Sequence, residues 1–329
     1  MNEPIDAVIP WVDGGDPAHR AKLDAYLASL GRQRPVAADP TRFNDDGELA
    51  WCLASIVRHA PWLRTIHVVT DAQRPAALDA LRGTAWEARV RLVDHREIYA
   101  GFEEFLPTFN SRSISCLFWR IPGIAERHLY FNDDFMLLRP VAPRDFFRED
   151  KVVARGRWEL QACRRWDKRL AKALGARRQA GTLPTESKAQ DLSARIAGFT
   201  ERCFRLQHCP YPMRASTLAA FFEEHPALLR DTIAHRLRDA AQLRPESLAT
   251  HLELAQDTAI VDSELELAHL KPAEQPQWRV RRKLDRADRD PKFAFACVQS
   301  LEKVDAAAHA EIVEWLDRRI GGIAEALAA

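Results

Sequence analysis

Aspartates gather where apolar runs end, and that repeated placement is the first chemical signal in the chain. The run Ile5 to Val12 leads into Asp13-Gly14-Gly15-Asp16-Pro17, Thr65 to Thr70 into Asp71, Arg89 to Val93 into Asp94, and His128 to Phe131 into Asn132-Asp133-Asp134. If the runs are strands of one parallel sheet, their carboxyl ends share a rim, where ligands of open α/β sheets bind. Carboxylates at one rim repel each other unless a cation lies among them, and hard oxygen ligands suit Mg²⁺ or Mn²⁺. Each group also has a plain structural use. Asn-Asp-Asp is good turn chemistry, and Asp-Gly-Gly-Asp-Pro is an ordinary turn before a helix. Gly14-Gly15 would let the backbone approach a phosphate, although the pair is neither a Walker nor a dinucleotide fingerprint. Glu48, three residues after Asp45 and ahead of an apolar helical face, fits a capping box.

The second half offers fewer such groups. His208, in Gln207-His208-Cys209-Pro210-Tyr211-Pro212, is held on a non-helical segment by two prolines, where it suits a general base, a phosphate contact or a surface loop. The spacing of Cys203, His208 and Cys209 is too irregular to argue for a metal site. His235-Arg236-Leu237-Arg238 sets two guanidinium groups near a helix end, in position for bidentate phosphate binding.

These groups need a scaffold, and the pattern predicts one. Short branched runs alternate with helical stretches up to about residue 140, as in β-α-β units around a mostly parallel sheet. Phe135 to Leu138 reads as an extension of the fourth strand. Leu49, Leu53, Ile56 and Val57 fall on one helical face, and Ala76 to Leu81 and Ser113 to Trp119 read as helices. The fold class expected is therefore α/β: a mostly parallel, Rossmann-like sheet flanked by helices, with a helical insertion and a helical C-terminal part. The divisions are an α/β core over 1–150, a basic helical insertion over 151–205 with a flexible patch at Gly181–Ser187, and a helical part over 206–329. Within the last, helices are expected from Ser216 to His235 and from Leu301 to Ile320.

The chain has 329 residues, enough to bury a large core, and its six cysteines form no C-x-x-C pair. The start lacks a signal-peptide pattern and no apolar run reaches the ~18 residues of a membrane span, so a cytoplasmic, soluble protein is expected. Net charge is +1, but residues 151–205 hold 14 Lys and Arg against 5 Asp and Glu. That segment suits a polyanionic acceptor, donor phosphates or an anionic membrane surface at the inner face, or else a solvated helical face. No nucleic-acid partner is expected.

At these residues the chain resembles the Stealth family of bacterial capsular polysaccharide phosphotransferases, which includes the catalytic part of the animal N-acetylglucosamine-1-phosphotransferase. Four ordered blocks carry the likeness. They are Ile5 to Pro17; Arg42-Phe-Asn-Asp-Asp-Gly-Glu-Leu49 through Pro61-Trp62 to Val68-Val-Thr-Asp71; Leu106-Pro-Thr-Phe-Asn-Ser111 through Arg120-Ile-Pro-Gly123 to Tyr130-Phe-Asn-Asp-Asp-Phe135; and His208-Cys-Pro with His235-Arg-Leu-Arg238. The resemblance implies a GT-A-like core, a nucleotide-diphosphate-sugar donor (a UDP-sugar), a Mg²⁺ or Mn²⁺ cofactor, and transfer of a sugar-1-phosphate to a polysaccharide or glycan hydroxyl. It implies catalytic roles for Asp6, Asp134, His208 and Arg238, metal binding by Asp133 and Asp134, and donor contacts from Asp13, Gly14, Arg42, Asn110, Ser111 and Asn132. Asp6, Asp133, Asp134, His208 and Arg238 are expected to converge on one cleft. One departure stands out: relatives commonly carry an acid at the end of a Ser-Ile-Glu-like triplet where this chain reads Ser113-Ile114-Ser115, so the metal shell is thinner or another acid takes over. A metal-dependent glycosyltransferase and a non-catalytic polyanion-binding protein are the alternative readings.

Overall fold

The computed structural model describes residues 3–31, 35–38, 43, 46–164 and 186–328. In chain order its strands are β1 (Ile5–Pro10), β2 (Ile66–Thr70), β3 (Val90–Asp94), β4 (Arg127–Tyr130), β5 (Phe135–Leu137), β6 (Phe147–Arg148), β7 (Lys151–Ala154), β8 (Gly156–Leu160), β9 (Arg202–Leu206), β10 (Tyr211–Arg214), β11 (Ala259–Val261), β12 (Glu266–Leu270) and β13 (Phe293–Val298). The central sheet runs β3-β2-β1-β4-β10, parallel except for the antiparallel edge strand β10. All of β2 and all but the last residue of β1 are buried, as expected of parallel strands covered on both faces. Cover on one side comes from helix Glu48–His59, which buries Leu49, Cys52, Leu53, Ile56 and Val57 and also packs against β5. The four strands expected before residue 140 are therefore present, and the fold is α/β with a mostly parallel sheet flanked by helices.

Phe135 to Leu138 does not extend the fourth strand, and this expectation is corrected. The chain turns at Asn132–Asp134, and β5 crosses into a second sheet of order β12-β13-β5, where it pairs antiparallel with β13. The turn's bond from Phe135 N–H to Asn132 O, 3.1 Å, ends one sheet and starts the next. From residue 206 onward, expected to be helical, the chain holds helices Ala215–Glu224, Pro226–Ile233, Pro245–Ala255, Gln277–Arg289 and Ala306–Arg319. It also holds strands β10 to β13, which the helical expectation lacked. The reason is visible in Phe293-Ala-Phe-Ala-Cys-Val298: a fully buried six-residue run carries no amphipathic period that separates strand from helix.

The basic stretch differs in the same way. It contains helix Glu186–Ile196, but β8 and β9 pair with each other across it, with Trp158 opposite Phe204 and the two rings 5.4 Å apart. Residues 165–185, including most of Gly181–Ser187, lie outside the described residues. Among the described residues no helix is long and apolar enough to cross a membrane.

Candidate active site

The loop Asn132–Asp134 links the two sheets, and a cavity of about 710 Å³ opens against it. Its walls include Trp11 and Val12 after β1, Asp71 after β2, all three loop residues after β4, and Gln299 and Ser300 after β13. The carboxyl-end rim expected from sequence is thus real. Not every aspartate on it faces the cavity, because some are consumed by the backbone.

Asp94 caps helix His95–Ile98 in a capping box with Glu97. Asp16 caps helix Pro17–Ser29 through bonds from Ala18 and His19 N–H. Asp13 accepts a 2.6 Å bond from Gly15 N–H and has its own backbone tied to Gln73, so it closes the turn beside the cavity without lining it. Gly14 N–H donates to Phe43 O at 2.7 Å, and a Cβ there would meet Phe43 O at 2.5 Å. Its glycine is required for backbone packing on Phe43.

Asp133 and Asp134 both line the cavity. Asp134 is held by β13: its carbonyl accepts from Val298 N–H at 3.2 Å and its Oδ2 from the Cys297 thiol at 3.4 Å. Its Oδ1 is buried and makes no well-formed hydrogen bond among the described residues. Burial, with the charge of Glu48 nearby, raises the Asp134 pKa to about 6 against the weaker pull of the Cys297 and Gln299 donors. Glu48 itself begins helix Glu48–His59, accepts from Asp46 N–H at 2.6 Å and lines the cavity; its expected capping partner Asp45 lies outside the described residues. No group of three or more His, Cys, Asp or Glu among the described residues is arranged to cage a metal. The buried, under-bonded Asp134 beside Asp133 nevertheless suits an open Mg²⁺ or Mn²⁺ site, since Mg²⁺ is commonly held by one or two carboxylates with water and phosphate oxygens completing its shell.

His208 also lines the cavity, between the edge of Phe135 (centroids 6.4 Å apart) and the face of His269 (4.7 Å). Burial, then the charge of Lys271, lowers its pKa, so the imidazole is neutral at physiological pH. His269 is anchored by Gln299 at 3.1 Å, and burial with the neighbouring His208 lowers its pKa to about 4. Arg238 reaches the cavity from the loop after helix Pro226–Ile233 and donates to Ser111 Oγ at 2.7 Å. Arg236, expected beside it, turns away to the carbonyls of Glu104 and Leu106.

Asn110 is buried and serves the scaffold. Its side chain accepts from Arg112 N–H and donates to His235 O and Gln242 Oε1, both at 2.8 Å, which fixes the loop that carries Arg238. Ser111 and Asn132 line the cavity, and Arg42 lies outside the described residues.

Asp6 is the clear departure from the expected convergence. It sits near the amino end of β1, away from the rim, fully buried, and receives Arg64 Nε at 2.8 Å and Nη2 at 2.6 Å, His67 at 3.1 Å and Ala125 N–H at 2.8 Å. Burial alone would raise its pKa; bonds from His67, Arg64 and Ala125 reverse this and hold it at about 2. Asp6 is therefore corrected from a cleft residue to an internal brace.

Sequence reasoning missed Arg112, Glu186, Arg244 and Glu246, which line the wall beside Arg238. No local motif marks them; they meet because helix Ser111–Ser115 packs against helix Pro245–Ala255. Ser115 lines the cavity too, its hydroxyl turned back to Arg112 O at 3.4 Å, and Glu48 and Glu246 are carboxylates on the same walls.

Several known proteins are similar to this chain. Residues 3–31 match the family model described as Stealth protein CR1, conserved region 1, and residues 42–155 match Stealth protein CR2, conserved region 2. An exopolysaccharide phosphotransferase of Streptomyces coelicolor is 33% identical over 267 residues, 81% of this chain and 42% of that protein. A capsular polysaccharide phosphotransferase of Streptococcus pneumoniae is 30% identical over 265 residues, 73% of this chain and 74% of that protein. A receptor polysaccharide phosphotransferase of Streptococcus oralis is 30% identical over 260 residues, with the same coverage of 73% and 74%. The chain spans 39% to 42% of the length of the first relatives matched. Among solved structures, the galactosyltransferase LgtC aligns over 95% of this chain and 96% of its own, at 12% identity and a TM-score of 0.44.

Proposed function

The chain belongs to the Stealth family, and from that premise we propose that it transfers a sugar-1-phosphate from a nucleotide-diphosphate sugar to a glycan hydroxyl, forming a phosphodiester in surface polysaccharide synthesis. One observation carries the reading: a single cavity is lined by Asp133, Asp134, His208 and Arg238. An acid pair, a neutral base and a guanidinium are the parts that phosphoryl transfer needs.

In this scheme Asp133 and Asp134 would hold Mg²⁺ or Mn²⁺, which when bound supplies positive charge against the donor pyrophosphate. Arg238, anchored on Ser111, offers its remaining donors to the phosphoryl oxygens as charge builds on them. Neutral His208 accepts the proton of the attacking hydroxyl, and the stacked His269 fixes its ring plane. The sugar–phosphate bond survives; the bond between the two phosphates breaks, and a nucleoside monophosphate leaves. A UDP-sugar donor, a cytoplasmic reaction and contact of 151–205 with an anionic membrane belong to the same proposal, the last supported by the excess of 14 basic over 5 acidic residues there.

The test is the product. Incubation with a panel of UDP-sugars, a divalent cation and a glycan acceptor is expected to release UMP and leave phosphate in the new linkage by mass spectrometry. Release of UDP with a phosphate-free glycosidic product would overturn the proposal.

A further inference from the structure

We infer that Arg112 and Arg244 form a phosphate-binding site whose anion position is held by the chain's own Glu186 carboxylate, which an incoming phosphate displaces. Glu186 Oε1 accepts from Arg244 Nη1, and its Oε2 accepts from Arg112 Nη2 at 3.4 Å. One carboxylate thus spans two guanidinium groups that come from separate parts of the fold. The arginine side chains are 7% and 6% exposed, whereas that of Glu186 is 40% exposed. The buried partners are fixed in the wall, and the accessible one is free to leave.

Two features show that the bridge satisfies its site poorly. Buried polar groups are normally hydrogen-bonded, yet Arg112 Nη1 is buried with no partner among the described residues. The Arg112–Glu186 bond is also long for a charge-assisted one, which commonly measures about 2.7–2.9 Å. A carboxylate brings two oxygens and one charge; a phosphate brings three terminal oxygens and up to two charges, enough to serve both Arg112 and Arg244 together. Burial, with Arg238 and Arg244 close by, pulls the Arg112 pKa down to about 10, in keeping with crowded positive charge on this wall. Arg244 does not depend on Glu186 for its orientation, because its Nε is bonded to Glu246 and its Nη2 to the Tyr211 hydroxyl at 2.9 Å. Arg244 therefore keeps its orientation when Glu186 departs, and Arg112, its side chain only 7% exposed, stays packed in the wall.

This deepens the proposed reading by adding a phosphate position, and it rests on that reading only for what carries the phosphate. The probe is inorganic pyrophosphate, titrated calorimetrically into the full chain without sugar donor. Glu186→Gln removes the internal competitor's charge and is expected to tighten pyrophosphate about fivefold. Glu186→Asp, which keeps the charge but is too short to span both arginines, should fall between it and the unmodified protein. Arg112→Lys should weaken binding about tenfold, since a point charge cannot replace the fork. Pyrophosphate should also raise the melting temperature of Glu186→Gln more than that of the unmodified protein. Equal or weaker binding by Glu186→Gln, or unchanged binding by Arg112→Lys, would overturn the inference. Loss of the transfer reaction with these affinities intact would count against the functional proposal alone.

Discussion

The carboxyl group of Asp134 is buried beside Glu48 and has a thiol as its side-chain donor from β13, which leaves its pKa at about 6. Activity that needs this group ionised is expected to fall as pH drops through about 6, and a bound divalent cation, which favours the carboxylate, should move that limb to lower pH. A pH–rate profile at two cation concentrations checks both statements. The same shift bears on stability. Because the folded pKa lies above the unfolded one, the group's stabilising contribution is complete below about pH 4 and is lost as pH rises through 6. At neutral pH the ionised side chain then costs the fold on the order of 3 kcal/mol. Asp134→Asn is therefore expected to melt higher than the unmodified protein at pH 7.5, with the gap roughly halved at pH 5, while kcat falls roughly 100-fold or more. Equal melting temperatures at both pH values would refute this account of the residue.

Among the elements, β1 shows how one strand serves two purposes at its two ends. Its carboxyl end delivers Trp11 and Val12 to the cavity, while near its amino end Asp6 ties β1 to Arg64, His67 and the backbone at Ala125. Asp6→Asn is expected to lower stability by about 2–4 kcal/mol, because it leaves buried His67 without its acceptor charge, yet to keep kcat per folded molecule. With a folded pKa of about 2, the Asp6 contribution is present above about pH 4 and disappears only as pH falls through 2, so denaturant melts at pH 7 and pH 3 should both show the defect, smaller at the latter. The parallel strands were legible in the sequence because branched residues alternate there with helical stretches, and the loop Asn132–Asp134 because polar residues interrupt an apolar run. The acidic rim was legible only as a list. Whether an aspartate faces substrate or caps a helix depends on the next few residues, as Asp94 with Arg96 and Glu97 shows. Of the arginine wall only Arg238 was legible, since Arg112 and Arg244 meet through packing between elements more than a hundred residues apart in the chain.

For the whole molecule, the cavity wall carries both signs of charge, with Glu48, Asp133 and Asp134 on it and also Arg112, Arg238 and Arg244 interleaved with Glu186 and Glu246. A cation bound at the aspartates and a phosphate-bearing ligand bound at the arginines should each stabilise the folded state by mass action. Mg²⁺ at about 100 times its dissociation constant is expected to add about 2.7 kcal/mol, seen as a higher melting temperature. That gain should vanish in a double variant carrying Asp133→Asn and Asp134→Asn.

The tether between Asp134 and β13 has a consequence for the newborn chain. Val298 N–H and the Cys297 thiol clasp an aspartate that left the ribosome more than 160 residues earlier. At about 5–20 residues per second, that interval lasts on the order of ten seconds. During it β5 has an unpaired edge, of the kind that recruits foreign strands. The clasp on Asp134 and the cover over one edge of β5 therefore arrive in one late event of translation, when Phe293–Val298 emerges and docks.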